Sequence, residues 1–493
     1  MNKLFFSLLK NWPILFLLAI VTFFFREFIF QGKLPIPADT IVGLYHPFRD
    51  VYDKEYPNGI PFKNFLITDP VRQQYPWRQL SIDLFKGGQV PLWNPYAFGG
   101  TPLLGNHQSA PLYPLNLLLF MFPFSIGWSI LILLQPLLAS VFMYFYLRNL
   151  ALEKMSSLLG AIVFAFCGFS ISWLEWGTIV HSALWLPLLL LSIDKIFAHF
   201  NSSNSKLKIQ NIKMQFKNQK YLLWSGILIF SLTFSFFAGH LQTFFYLFLT
   251  SIVYFSARWF QYRKNKKILF RLSACYLLFG FITSIQWIPT LQFILESARN
   301  LDQIDWQRPG WFIPWQHLIQ FIAPDFFGNP ATLNYWGKWN YGEFTGYVGV
   351  LPLILSLFTL LFRRDKKTLF FGSLFFFSLV FSLPTIFAKL PYLLQLPLLS
   401  TSQPTRLLFL TDFSLAVLSA LGLGHFLKQK RGIIYPVGFL LAIFTILWIF
   451  TGFSSIGIVS TENLLTSKRN LMLPTALFVL SVSILFFSLF SKN

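Results

Sequence analysis

The chain is poor in what soluble domains are made from. Charged residues make up 12% of its 493 positions, about half the share usual in a globular protein, while hydrophobic residues make up 55%. Cysteine is nearly absent. Cys167 and Cys275 both lie inside apolar runs, so there is no disulfide framework and no Cys/His metal cluster. A glycine-rich phosphate loop is missing, which leaves nucleotide hydrolysis without a motif. No tight zinc or Ser-His-Asp spacing occurs either. The apolar runs do not alternate with polar residues, which argues against a transmembrane β-barrel. Acidic residues are scarce, 18 against 39 basic, so the formal net charge is +21.

What the chain does have is a succession of apolar runs of about 20 residues, the length that crosses a bilayer as a helix. The basic residues gather in short clusters between these runs, at 148–154, 201–220, 258–267, 363–367 and 428–431. Together with Lys3 and Lys10 they occupy every second loop, as the positive-inside rule requires of cytoplasmic loops. The excess charge therefore reads as topology and not as a nucleic-acid surface. About twelve spans satisfy the alternation: 12–30, 126–147, 155–173, 181–198, 221–238, 241–257, 268–288, 346–362, 368–388, 405–426, 433–451 and 471–490. The first reads as a retained signal-anchor, since no small-residue cleavage site follows it. Both termini are then expected on the cytoplasmic side. The expected fold class is an all-α polytopic membrane protein, one integral domain over 1–493 without a separate soluble domain.

Two long loops fall on the other side, about 31–125 and 289–345. Both are rich in Trp, Tyr and Pro, which suits segments held at the bilayer interface. WRQLSIDLFKGG (77–88) predicts a short helix with Leu80, Leu84 and Phe85 on one face, and PGWFIPWQHLIQFIAP (309–324) predicts a second interfacial helix. In the first loop, Asp39 in IPADT suits a general base or an anchor for a hydroxyl near the membrane boundary; a helix cap is the plainer alternative. Asp69, with Gln73, Gln74 and Tyr75, forms a second polar group, although Thr-Asp-Pro is also a helix start. Trp93 offers a ring for stacking on a sugar, and Asn94, Asn106, His107 and Gln108 offer hydrogen bonds to hydroxyls; aromatic anchoring and turn chemistry explain the same residues. In the second loop Asp325 and Glu343 stand out. Arg299 and Arg308, and Arg406 at the start of a span, suit phosphate oxygens. Pairing with neighbouring acids accounts equally well for the first two, and snorkelling for Arg406. His181 and His240, at span ends, suit structural hydrogen bonding better than ligation.

Several stretches carry a resemblance. LPIPADTIVGLYHPFRD, TDPVRQQYPW and GGQVPLWNPYAFGGTPLLGNHQSAPLYPLN resemble the YfhO family of bacterial membrane proteins, as do AGHLQTFFY, SIQWIPTLQFILESAR, APDFFGN, GYVGVLPLIL and QPTRLLFL. That family is similar to the GT-C superfamily of glycosyltransferases. The resemblance implies transfer of a sugar from a polyprenyl-phosphate-linked donor to a cell-envelope glycan, lipid or protein on the extracytoplasmic face of the bacterial cytoplasmic membrane. It also implies an acidic catalytic residue soon after the first helix. Asp39 matches that position and Asp69 is second. Arg299, Arg308 or Arg406 would hold the phosphate, with Gln74, Tyr75, Trp93, Asn94, His107, Asp325 and Glu343 lining the site. No Asp-x-Asp or Glu-Asp pair occurs in the first loop, which leaves the need for a divalent metal (Mg or Mn) open. A transporter of lipid-linked sugars and a non-catalytic assembly protein are the alternative expectations.

Overall fold

The computed structural model describes residues 11–57, 64, 66–203, 211–262, 266–298, 305–338, 340–396, 399–452 and 459–490. These form an almost wholly helical protein. The single strand pairing among the described residues joins Trp93–Asn94 to Thr101–Pro102. Among the described residues, seven helical segments are long and apolar enough to cross a hydrocarbon layer: Phe124–Asn149, Lys154–Ser172, Ile179–His199, Lys266–Leu295, Pro404–Phe426, Ile434–Gly452 and Thr461–Leu489. Lys366–Ser382 and Ile386–Leu393 together would make an eighth, bent by 63° at Leu383–Thr385. The other expected spans fall on shorter apolar helices, Trp12–Phe24, Tyr221–Phe237 and Val350–Phe362, and on the more polar Leu241–Gln261.

The helix Leu408–Phe426 organises the core. Every residue from Leu408 to Gly422 is buried, as expected of a helix without a polar face. Small residues let its neighbours approach closely. A Cβ on Gly422 would lie 2.2 Å from the Leu355 carbonyl oxygen, and one on Gly160 would lie 2.9 Å from that of Ala416. Across the same seam Ser356 donates to the Leu415 carbonyl (2.9 Å) and Thr359 to that of Leu418 (2.8 Å). These bonds satisfy hydroxyls that water does not reach.

The two long loops meet at one end of this bundle. The span Lys154–Ser172 is broken at Phe166–Cys167. There Gly168 N–H donates to the Tyr347 carbonyl (2.7 Å), so the second loop closes against the break. Gln286 likewise donates to the Leu104 carbonyl of the first loop (3.1 Å).

Of the two short helices expected in the loops, one is found and one changes. The helix around WRQLSIDLFKGG runs Tyr75–Lys86 and stops at Gly87, with Arg78, Ser81 and Ile82 buried. Leu80 and Leu84 line a surface cleft, so their face looks outward. The stretch after Pro314 is a short 3-10 segment, Trp315–Phe321, with His317 and Gln320 buried. It is wedged into the loop and is not an amphipathic α-helix at the surface.

Candidate functional site

A large cavity lies where the loops meet. Its volume is about 740 Å³, and its walls come from the first helix, the first loop, the 166–176 break and the second loop. Glu175 and Glu27 are the carboxylates among its described lining residues. Glu175 stands in the 3-10 turn Leu174–Trp176, which Gly177 ends in a left-handed conformation at φ +65°. Burial raises its pKa from 4.5 to about 7, helped by the negative charge of Asp39. Both causes disfavour the ionised form. A carboxyl that titrates near neutral pH can accept a proton from a hydroxyl. The lining also holds Arg26 and Lys33, and Lys33 pairs with Glu27 at 3.1 Å. Asn64, Asn329, Asn340 and Tyr341 add uncharged hydrogen-bonding groups. Exposed Phe24 and half-exposed Phe28 add apolar side chains to the lining.

Asp39 is the first residue of the short helix Asp39–Leu44, one position after the cap residue Ala38. It does not line the cavity but lies within electrostatic reach of Glu175. Asp69 precedes the π-helical turn Pro70–Gln74, and its side chain makes no capping bond there. That turn rests on Leu174–Trp176, so both aspartates sit around the Glu175 turn. Gln74 is buried and donates to Gln108 (2.9 Å). Tyr75 packs edge-on against Phe124 (4.7 Å) and near Trp128; burial raises its pKa.

Arg78 is fully buried, its guanidinium over Trp128 (5.4 Å) and at 3.5 Å from the Gly177 carbonyl. Burial lowers its pKa to about 10 against a smaller upward pull from Tyr113, so it stays charged at neutral pH. Among the described residues no carboxylate forms an ion pair with it. It braces the turn that carries Glu175 from behind.

A second cavity of about 600 Å³ is lined by His107, Gln108, His240, Gln242, Gln403 and Arg406, among others. Arg406 is bound to Glu343, which Thr405 also reaches at 2.6 Å, and lies 4.0 Å over the ring of Trp173. Trp173 in turn meets Trp176, a residue of the Glu175 cavity wall, edge-to-face at 4.7 Å. The two cavities are thus neighbours across a tryptophan pair. His107 is buried against Phe236 (4.8 Å), and burial lowers its pKa to about 4, so it is neutral at physiological pH. Asp325 accepts from Tyr341 (2.6 Å) and Asn329 (2.9 Å), both on the wall of the first cavity. It holds that wall in place.

The remaining expected residues are elsewhere. Arg308 lines a third, separate cavity. Trp93 is exposed, with its ring against Gly100, and lines none of these cavities; Asn94 is buried and closes a turn by accepting from Tyr96 N–H (2.9 Å). Arg299 lies outside the described residues. Among the described residues, the cations that line the Glu175 cavity are Arg26 and Lys33. His181 binds Tyr113 (2.9 Å) and the Leu131 carbonyl (3.0 Å), and His240 caps Leu241–Gln261 through Thr243; both are structural. Among the described residues no three His, Cys, Asp or Glu side chains converge as a cation site.

Glu175 and Arg78 escape a reading of the sequence alone. Glu175 sits in WLEWGTIV, a connection between two apolar runs. Its one available signal is a carboxylate among apolar residues with no neighbouring base, a costly placement near a membrane. Comparison with protein-family models, with curated proteins and with solved structures returned no match.

Proposed function

We propose that this chain is a membrane glycosyltransferase of GT-C type. It would move a sugar from a polyprenyl-phosphate-linked donor to a cell-envelope acceptor on the extracytoplasmic face of the bacterial cytoplasmic membrane, with about twelve spans and both termini cytoplasmic. The observation that carries the reading is Glu175, a carboxyl titrating near neutral pH on the wall of a large cavity between the two long loops, with Asp39 beside it.

In this reading Glu175 takes the proton from the acceptor hydroxyl. The hydroxyl oxygen forms a bond to the anomeric carbon, the bond from that carbon to the donor's phosphate oxygen breaks, and its electron pair leaves with the polyprenyl phosphate. The phosphate is already a good leaving group, so one carboxylate suffices. Arg26 and Lys33 are the cations placed to hold the departing phosphate, a role the sequence assigned to Arg299, Arg308 or Arg406. Asp39 acts through Glu175 by raising its basicity. The lipid tail would enter beside Phe24 and Phe28.

The test is sugar incorporation by purified protein from a polyprenyl-phosphate donor, with Glu175→Gln beside wild type. A drop of 10²-fold or more is expected from loss of a general base. Wild-type activity in Glu175→Gln removes the assignment.

A further inference from the structure

The third cavity, of about 400 Å³, lies apart from the Glu175 site and is lined by Arg308, Lys338 and Lys389 together with Trp306, Phe312 and Pro384. No carboxylate is among its described lining residues. Its frame is well built. Ile313 N–H donates to the Ser382 carbonyl (2.9 Å), fixing the second loop to the end of Lys366–Ser382. Trp306 stacks on Tyr392 at 5.8 Å and Phe312 meets it edge-on at 5.6 Å. Tyr392 in turn donates to the Ser402 carbonyl (2.5 Å).

Lys389 belongs to the bent helix Ile386–Leu393, which turns 63° away from the preceding span. That helix buries Ala388 and Tyr392 against the loop and exposes Ile386, Phe387, Leu390 and Leu393 on its other side. An apolar face turned out of the protein, next to a basic pocket, is how a helix lies in the bilayer interface, its apolar residues among acyl chains and its lysine reaching up to the headgroups. Clustered cations at such a boundary attract anionic lipid.

We propose that this cavity binds the headgroup of an anionic phospholipid, the phosphate between Lys338, Lys389 and Arg308 and the acyl chains along Ile386, Phe387, Leu390 and Leu393. The exposed apolar face commits the occupant to a lipid over a soluble phosphate. The site does not depend on the proposed reaction.

The test is native mass spectrometry of protein released from nanodiscs containing equal phosphatidylglycerol and phosphatidylcholine. Wild type should retain phosphatidylglycerol in preference to phosphatidylcholine. Each lysine at a membrane surface is worth roughly fivefold, so Lys338→Gln/Lys389→Gln should lose on the order of twentyfold of that preference. Lys389→Arg should keep it, as should Lys86→Gln, which changes a lysine outside the cavity. Both lysines are solvent-accessible, and elution as a single species confirms that the variants are folded. Equal retention by wild type and the double variant would overturn the proposal. So would displacement of the bound lipid by millimolar inorganic phosphate, which would make the cavity a soluble-anion site.

Discussion

Replacing Asp39 with Asn should move the titration of a different residue. Glu175 is displaced from 4.5 to about 7, with burial the larger cause and Asp39 the smaller. Asp39 then accounts for less than half of that displacement, about one pH unit at most, or ~1.4 kcal/mol. Asp39→Asn removes the repulsion and leaves the burial. The Glu175 midpoint should fall from about 7 to roughly 6 and stay well above the ordinary carboxylate range. The assay is the pH dependence of the protonated-carboxyl band in infrared difference spectra, with Glu175→Gln identifying the signal. The same shift should bring the acid limb of any activity down by up to one unit, raising turnover below pH 6 by up to about tenfold. A midpoint unchanged in Asp39→Asn would refute the coupling. A fall into the ordinary carboxylate range would show that burial is not the main cause.

Three further outcomes follow from the packing and charge. A Cβ on Gly422 would meet the Leu355 carbonyl at 2.2 Å, where backbone cannot give way; Gly422→Ala should cost about 1–3 kcal/mol, read as a lower Tm in detergent. Arg406→Gln would leave Glu343 buried without its cation and should cost about 3–5 kcal/mol, with Arg406→Gln/Glu343→Gln recovering most of it. His107 is held neutral down to about pH 4. Its folded pKa lies below the unfolded value, so its contribution is present above pH 6.5 and is lost as pH falls towards 4, about 3 kcal/mol in all. His107→Gln should flatten the stability profile across that window.

Much of the architecture was legible because helical membrane proteins declare themselves through run length and charge placement. The apolar runs around 126–147, 405–426 and 433–451 each became a long helix. The meeting of the two loops accords with a site drawn from both, with Asp39 and Asp69 in the first and Asp325 and Glu343 in the second. The site's details were harder to read. Glu175 was hidden because a tight turn between apolar runs resembles a mere connector, and only folding shows that it faces a cavity. Arg78 looks like Arg72 in sequence, yet lies on the buried side of its helix with Gln74 and Ile82. Leu80 and Leu84 were assigned the right helix and a shared face, and that face lines a surface cleft. Arg406 and Glu343 were each singled out, but their pairing across 63 residues was not foreseen. Long-range pairing of this kind is set by tertiary contacts and leaves no local pattern.

The central claim is that Glu175, and not Asp39 or Asp69, takes the acceptor's proton. It is tested most directly by transfer of labelled sugar from a polyprenyl-phosphate donor, comparing Glu175→Gln, Asp39→Asn and Asp69→Asn with wild type across pH. The account predicts that Glu175→Gln is inactive at every pH, that Asp39→Asn is active with its acid limb displaced downward, and that Asp69→Asn stays close to wild type. Full activity in Glu175→Gln, or an Asp39→Asn variant inactive at every pH, would contradict it.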